Sequence, residues 1–332
     1  MIVSSTASGL PSPHDPRPPV CVLGLGLIGG SLLRAVGAAG RTAWGHARSA
    51  ATADAAVADG YDAGTDLADA LRRADRERAI VVVAVPAPAV DEAFAAIAEH
   101  APNATVTDVV SVKTAVLAAA REHGLTGRYV GGHPMAGTSE SGWGAGFPEL
   151  FRDAVWVVGT EDDSDPDVWT QVAALAFDCG SVVVPAAAVE HDNAVARISH
   201  LPHLLAEALA VTADAGGPLA LGLAAGSFRD GTRVAATAPG LVNAMCEGNR
   251  DALLVALDDA LTLLRDARNT LAQESSTAPL VSAGHTARTR YDERTHTVVE
   301  GIVPGSDGWT ERMRDAGRRG GRLHRPDEDS FM

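Results

Sequence analysis

The chain has 332 residues, which is typical of about two domains rather than one large core. Apolar residues make up 46% of it and charged residues 21%, which excludes a wholly disordered or fibrous chain. The net charge of −15 argues against a protein that mainly binds nucleic acid or an anionic membrane, because both need basic surface.

The start of the chain indicates the compartment. Residues 1–19 are polar and rich in Pro, Gly and Ser, so we expect a flexible N-terminal arm without a secretion signal. No apolar run reaches the roughly 18 residues that cross a bilayer. The cysteines Cys21, Cys179 and Cys246 are an odd number and lack metal-ligand spacing. We therefore expect a soluble cytoplasmic protein without a metal site.

Residues 20–185 predict an α/β domain. Short β-branched or apolar runs alternate with alanine-rich stretches of helical length, which is typical of a parallel sheet with crossover helices. Predicted strands lie at 20–23, 42–46, 80–85, 105–108 and 129–131, and we expect 155–158 and 182–184 to extend the same sheet. Helices are predicted to begin near Ile28, Ala50, Ala89 and Lys113.

Residues 186–273 predict a second, all-helical domain, because apolar residues recur every three or four positions through 203–211 and 252–264. These stretches are too apolar for isolated surface helices, so we expect a homodimer that buries them. Residues 274–332 are polar and arginine-rich. They predict a weakly ordered tail, apart from a short strand at 298–303 and a helix near 309–316.

A dinucleotide site is predicted where the first strand ends. Gly24, Gly26 and Gly29 form a G-x-G-x-x-G pattern that also contains Leu27 and Ile28, and small residues there let backbone N–H groups approach a pyrophosphate. The fold is therefore predicted to be Rossmann-like and the cofactor NAD or NADP. The second strand does not end in an acid that could accept hydrogen bonds from the ribose hydroxyls. Arg48 stands there instead and either binds a 2′-phosphate or faces water, so NADP is slightly favoured over NAD. Val85 ends the third predicted strand and Pro86 follows it, beside the nicotinamide ribose or as a plain turn.

Polar residues in four further segments are candidates for chemistry. Ser111 and Lys113 follow a predicted strand, although Ser111 also suits a helix N-cap. His133 lies in a glycine-lined loop with Thr138, where an imidazole can exchange protons near neutral pH. Ser199 and His203 are four residues apart on a predicted helix, and a histidine there can equally fill a core. Arg233 offers a fork for a carboxylate or a surface ion pair.

Five motifs occur in a fixed order: GLGLIGGS, DVVSVKTAV, GGHPMAGTSESG, HDNAVARISHLPH and SFRDGTRVA. Together they resemble the prephenate/arogenate dehydrogenase family of tyrosine biosynthesis over roughly residues 20–270. The resemblance implies a nucleotide-binding domain followed by a helical dimerisation domain. It also implies oxidative decarboxylation of a cyclohexadienol with hydride transfer to a nicotinamide.

The resemblance assigns roles residue by residue. His133 matches the histidine that takes the proton of the ring hydroxyl, which predicts lower activity at low pH, and Ser111 matches the serine that orients it. Arg233 matches the arginine that binds a substrate carboxylate. Side chains lining the substrate pocket are matched by Ser199 and His203. Thr138 lies in the histidine motif, and Lys113 has a supporting role in the SVK pattern.

The substrate stays open between prephenate, arogenate and an amino-substituted analogue, since Glu140 or Glu190 could pair with an ammonium group. Val242 stands where some relatives have an aromatic residue, so the substrate's side-chain end could be held differently. A dinucleotide-binding protein that has lost catalysis is the alternative from another class. No separate domain for feedback by tyrosine is recognisable in the tail.

Overall fold

The computed structural model describes residues 17–138 and 140–325. They form two compact units: unit 1 contains residues up to His191 and from Thr297 onward, and unit 2 contains Asp192–His296. Unit 2 is thus inserted into the sequence of unit 1. Most of the predicted N-terminal arm lies outside the described residues. Within the described ranges, no helix is both long and apolar enough to cross a membrane.

Unit 1 contains a five-stranded parallel sheet in the order β3-β2-β1-β4-β5. The strands are β1 (Val20–Leu23), β2 (Ala43–His46), β3 (Ala63–Gly64), β4 (Ile80–Val83) and β5 (Thr105–Asp108). The accompanying helices are α1 (Leu27–Ala38), α2 (Ala50–Ala58), α3 (Leu67–Arg76), α4 (Val90–His100) and α5 (Thr114–Glu122). Every residue of β1 and β4 is buried, as expected of central parallel strands. The predicted α/β architecture is confirmed, although the sequence did not predict β3 or α3.

A second, three-stranded sheet follows, in the order β6-β7-β8. It contains β6 (Gly132–Pro134), β7 (Val155–Gly159) and β8 (Val182–Ala186), and α6 (Pro166–Asp178) connects the parallel strands β7 and β8. The prediction that these segments extend the first sheet is wrong. Tyr129 makes a single bridge to Val106, and β6 then runs antiparallel to β7. At Gly132 the chain passes so close to the end of β5 that a Cβ would lie 2.7 Å from the Asp108 carbonyl oxygen.

Unit 2 is helical, as predicted. Its boundary region contains α7 (Ala188–Val195) and a π-helical segment (Ala196–His200). The remaining helices are α8 (Leu201–Asp214), α9 (Gly217–Gly222), α10 (Gly226–Thr232), α11 (Pro239–Gly248), α12 (Arg250–Glu274) and α13 (Ala278–Asp292). Val242, Cys246 and Leu253 form a small buried cluster. Many leucines of α8, α9 and α12 are exposed, so these helices present apolar surface.

The chain returns to unit 1 after unit 2. It adds β9 (Thr297–Val298), α14 (Trp309–Arg318) and β10 (Gly321–Arg322). The Trp309 ring packs edge-on against Trp169 at 5.7 Å, and Leu323 exchanges backbone hydrogen bonds of 2.9 and 2.8 Å with Val183 of β8. The structure therefore differs from the predicted weakly ordered tail, because buried Trp309 and Met313 anchor α14 to the core of unit 1. The helix predicted near residues 309–316 is α14.

Candidate active site

The turn from β1 into α1 forms a glycine cradle, defined here as Gly24, Gly26 and Gly29. Gly24 has φ +100°, which residues with a side chain rarely adopt, and a Cβ on Gly29 would lie 1.8 Å from the Gly24 carbonyl oxygen. These two glycines are therefore required by the fold. A Cβ on Gly26 would meet nothing within 4 Å. The open space over Gly26 fits a bound group instead.

The N-terminus of α1 opens onto this cradle. Gly26 is the N-cap residue and provides no side chain to the first N–H groups of the helix, which begins at Leu27 and continues through Ile28. Uncapped N–H groups and the positive end of the helix dipole together bind an anion such as a pyrophosphate. The cradle and this helix end therefore fit the dinucleotide that the sequence predicted.

The end of β2 lies next to the cradle, because the Gly24 N–H donates 2.8 Å to the His46 carbonyl oxygen. His46 is buried, and burial lowers the pKa of its imidazole below the ordinary value. Arg48 is exposed and makes no ion pair within the described part of the chain, while Ser49 caps α2 by accepting from the Thr52 N–H at 3.4 Å. The guanidinium of Arg48 is thus available to an external anion.

Val85 and Pro86 lie where β4 ends, on the other side of the cradle. Val85 is half-buried, and its Cγ1 lies 3.2 Å from the position that a Cβ on Gly24 would occupy. Pro86 is exposed and begins a short 3-10 turn at Ala87–Ala89. Val85 therefore packs against the cradle, and its place beside the nicotinamide ribose stays a prediction.

Asp108 connects the two sheets at the carboxyl end of β5. Its fully buried carboxylate pairs with the ammonium group of Lys113 and accepts 2.6 Å from the Tyr129 hydroxyl. It also accepts 2.8 Å from the Val110 N–H and 3.4 Å from the Gly132 N–H. Asp108 therefore ties the loop that carries Ser111 to the strand that carries His133. Asp108 is not among the candidates predicted from the sequence, although an acid at the end of an otherwise uncharged strand indicates such a role.

His133 lies on β6 and is half-buried. Its Nδ1 is 2.8 Å from Nε2 of His191, and the two rings pack edge to face with centroids 5.0 Å apart. His191 is 3% exposed and lies on α7. His191 is not among the candidates predicted from the sequence, although it is the first residue of the HDNAVARISHLPH motif.

Ser111 and Thr138 lie on the loops either side of this histidine. Ser111 is half-buried and does not cap α5, whose N-cap residue is Lys113, so the helix-cap interpretation is wrong. Its hydroxyl makes no hydrogen bond to another residue of the described chain. Thr138 is exposed, and its hydroxyl accepts 3.2 Å from the Glu140 N–H.

The loop that follows His133 is anchored on α1. The Arg34 guanidinium stacks on the Trp143 ring at 3.5 Å, and Asp59 accepts 2.8 Å from the indole N–H. The Phe147 N–H donates 3.0 Å to the Ser31 hydroxyl. These contacts connect the helix of the glycine cradle to the loop that contains Thr138.

Unit 2 contains the other three candidates. Ser199 is half-buried in the π-helical segment, and His203 is half-buried in the first turn of α8, where Pro202 is tolerated. Nδ1 of His203 is buried without a hydrogen-bond partner among residues 17–138 and 140–325. Arg233 is exposed where α10 ends. A buried ring nitrogen without a partner is costly, which suits a ligand-binding position.

A glycine cradle at the first strand and a histidine on the strand that Asp108 holds against the end of β5 define a dinucleotide-dependent oxidoreductase with an added helical domain. The nucleotide-binding domain described for prephenate dehydrogenase matches residues 30–185, and the dimerization domain of the same enzymes matches residues 187–281. The chain belongs to the prephenate dehydrogenase family, which confirms the resemblance found in the sequence.

Three relatives indicate how far the similarity extends. A solved structure from Corynebacterium glutamicum, provisionally assigned as a prephenate dehydrogenase, is 46% identical, with a TM-score of 0.89 over 93% of this chain and 99% of that one. Cyclohexadienyl dehydrogenase of Zymomonas mobilis is 32% identical over 77% of this chain and 89% of its own length. Synechocystis arogenate dehydrogenase is 31% identical, with a TM-score of 0.70 over 82% and 99%.

Proposed function

We propose that this chain is a prephenate dehydrogenase, which converts prephenate to 4-hydroxyphenylpyruvate and CO₂ with hydride transfer to NAD or NADP. The observation that carries the proposal is the position of His133. It directly follows Gly132, whose N–H donates 3.4 Å to Asp108 at the carboxyl end of β5, the edge of the sheet to which the glycine cradle belongs. Open α/β sheets bind their ligands at this edge.

In this mechanism the protein accepts one proton from the substrate and returns it to the product. Neutral His133 accepts the proton of the ring hydroxyl while the carbinol carbon loses hydride, so that a C=O bond forms. The C–C bond to the ring carboxylate breaks, CO₂ leaves, and its electron pair enters the ring, which becomes a phenolate. The phenolate recovers the proton from His133, so the reaction releases no net proton. The bound nicotinamide supplies the hydride acceptor.

Arg233 is proposed to bind a carboxylate of the substrate. Its exposed guanidinium can hold two carboxylate oxygens at once, and prephenate carries two carboxylates. Ser199 and His203 are proposed to contact the substrate, and the supporting observation is that Nδ1 of His203 has no hydrogen-bond partner in the described part of the chain. Ser111 and Thr138 are proposed to contact it from unit 1.

Lys113 is proposed to act on the structure rather than on the substrate. It is the only lysine of the chain, it is 2% exposed, and its ammonium group pairs with Asp108. A buried ammonium group already paired with a carboxylate is poorly placed to bind a second one. Lys113 is therefore proposed to hold the Ser111 loop, which is the supporting role that the resemblance implies.

Steady-state turnover with purified protein tests this proposal directly. Prephenate and arogenate are each assayed with NAD and NADP, and kcat/KM is compared because discrimination is read from that ratio. We expect prephenate to give the higher value, and His133→Asn to abolish turnover while nucleotide affinity is kept. Nucleotide binding without turnover in all four pairings would instead favour the non-catalytic alternative or an amino-substituted analogue.

Arogenate is the second candidate, supported by the name of the Synechocystis relative. An ammonium group needs an acidic partner. Glu190 is a poor one, because its carboxylate accepts 3.1 Å from the Ala187 N–H and pairs with Arg318 at 2.6 Å. Glu140 is exposed and stays a candidate. Glu140→Gln should lower kcat/KM for arogenate and leave that for prephenate unchanged if this acid binds the ammonium group.

NADP is proposed as the preferred cofactor because Arg48 is exposed and no acid follows β2. A guanidinium binds a 2′-phosphate, whereas it gains little from ribose hydroxyls. Arg48→Ala should weaken NADP binding more than NAD binding in calorimetric titrations. Equal losses for the two nucleotides would remove the reason for preferring NADP.

A homodimer and a cytoplasmic location complete the proposal. The exposed leucines of α8, α9 and α12 give unit 2 an apolar surface that a second copy could cover, and light scattering at micromolar concentration tests this. All three cysteines are buried thiols, and burial raises the pKa of Cys21 to about 12, so it is unreactive. Such thiols suit a reducing compartment, which fractionation of cells can test.

A further inference from the structure

His191 contacts His133, the proposed base, and the resemblance assigns it no role. It is almost fully buried, and its Nε2 lies 2.8 Å from Nδ1 of His133. Two neutral imidazoles at this distance share a single N–H, since one ring must donate and the other accept. The direction of that hydrogen bond decides which nitrogen of His133 carries its proton.

Only one direction is compatible with His133 as a base. If His133 donates through Nδ1–H, its Nε2 has a lone pair with which to accept the hydroxyl proton of the substrate. If His191 donates instead, Nε2 of His133 already carries hydrogen and cannot act as the base. We propose that His191 is a positioning residue that accepts from Nδ1–H of His133 and so holds His133 in its reactive tautomer. This inference rests on the proposed function.

The first turn of the helix that carries His191 is held by contacts within unit 1. The carboxylate of Glu161 accepts 2.6 Å from the Ala188 N–H, and that of Glu190 accepts 3.1 Å from the Ala187 N–H. Both acids thereby satisfy N–H groups at the start of α7, where the positive helix end favours them. Arg318 of the C-terminal segment pairs with Glu190 at 2.6 Å. His191 therefore approaches His133 from an anchored helix rather than from a mobile loop.

The proposed pair differs from a carboxylate–histidine pair because the group that accepts from His133 is the neutral imidazole of His191. After His133 accepts the substrate proton it is an imidazolium, and Nδ1–H continues to donate to Nε2 of neutral His191. The hydrogen bond thus persists through both proton transfers, and no proton needs to leave the pair. His191 orients the base without adding a negative charge beside the substrate's carboxylates, which would oppose substrate binding.

Nuclear magnetic resonance tests the tautomer without any turnover. In the full chain labelled with ¹⁵N-histidine, at a pH where His133 is neutral, nitrogen shifts distinguish Nδ1–H from Nε2–H, and His133→Asn identifies the signals. We expect Nδ1–H on His133. An Nε2–H form in the wild-type chain would overturn the inference even if the enzyme is active.

Two substitutions test the effect on catalysis. His191→Leu removes the acceptor and should lower kcat by about 10- to 100-fold with little change in KM, the range for losing one orienting hydrogen bond to a general base. His191→Gln can place its amide oxygen near the Nε2 position and should recover most of that loss. His123→Gln, which removes a histidine paired with exposed Asp91 at 2.8 Å, is the matched control.

The outcomes separate the two proposals. Wild-type kcat in His191→Leu, with His133→Asn inactive, would refute the role of His191 and leave the proposed function intact. Full activity in His133→Asn would refute the proposed base itself. If His191→Leu does not fold, the wild-type tautomer and the His191→Gln variant still decide. Nδ1–H on His133 with most of kcat kept in His191→Gln supports the role of His191, and Nε2–H on His133 refutes it.

Discussion

Replacing Gly26 by alanine should separate nucleotide binding from folding. Gly26 has φ −78° and ψ −160°, angles that alanine adopts readily, and the added Cβ would meet nothing within 4 Å. The free energy of unfolding should therefore change by no more than about 1 kcal/mol. The methyl group would occupy the space where the backbone is expected to approach a pyrophosphate.

The expected loss of affinity follows from the hydrogen bonds that the methyl group displaces. One hydrogen bond to a charged group contributes about 1.5–3 kcal/mol, which corresponds to a roughly 10- to 150-fold weaker Kd for the nucleotide. Calorimetric titration with NAD and NADP measures the affinity, and thermal unfolding of the same samples measures the stability. Gly29→Ala is the contrasting variant, since its Cβ would lie 1.8 Å from a backbone oxygen and should lower Tm. Wild-type affinity in Gly26→Ala would refute a pyrophosphate over this cradle.

Three further predictions concern stability. Asp178→Asn should lower the free energy of unfolding by about 3–5 kcal/mol in urea titrations, because it removes the counter-charge of the buried Arg41 guanidinium. That guanidinium is 1% exposed and lies 2.6 Å from Asp178. The control is Asp259→Asn, which removes the partner of exposed Arg197, and an equal loss there would contradict this prediction. Burial lowers the pKa of His46 below 6.5, so the unfolded chain binds more protons there and stability should fall as pH drops below about 6.5. His46→Gln should flatten this fall in urea titrations at pH 7.5 and 5.5, which exposed His285→Gln should not do. Trp309→Ala should lower Tm by removing the contact with Trp169, and an unchanged Tm would show that α14 does not stabilise unit 1.

The sequence predicted the features that depend on local pattern. The strand ending at Leu23, the glycines after it and the helix that begins at Leu27 follow one another without interruption, so alternation and composition were sufficient. The helical character of residues 201–274 followed from apolar periodicity in the same way. The glycine-lined loop around His133 likewise predicts from local pattern that this imidazole is a candidate.

Features that depend on contacts between distant residues could not be predicted. His133 and His191 are 58 positions apart, and nothing in the spacing says that their rings meet. The second sheet was missed because the close approach of Gly132 to Asp108 turns the chain out of the first one. The overall polarity of residues 274–332 predicts a weakly ordered tail. It does not indicate that Trp309 and Met313 are buried and anchor α14 to unit 1.

The return of the chain to unit 1 after residue 296 has a consequence for synthesis on the ribosome. The nucleotide-binding unit contains both the first described residues and the last, so the ribosome completes all of unit 2 before α14 and β10 emerge. Until then the edge of β8 that pairs with Leu323 has no partner there, and Trp169 lacks the ring of Trp309. Nascent chains released before residue 309 should therefore be more sensitive to protease in the nucleotide-binding unit. The residues they lack belong to this unit but follow all of unit 2 in the sequence.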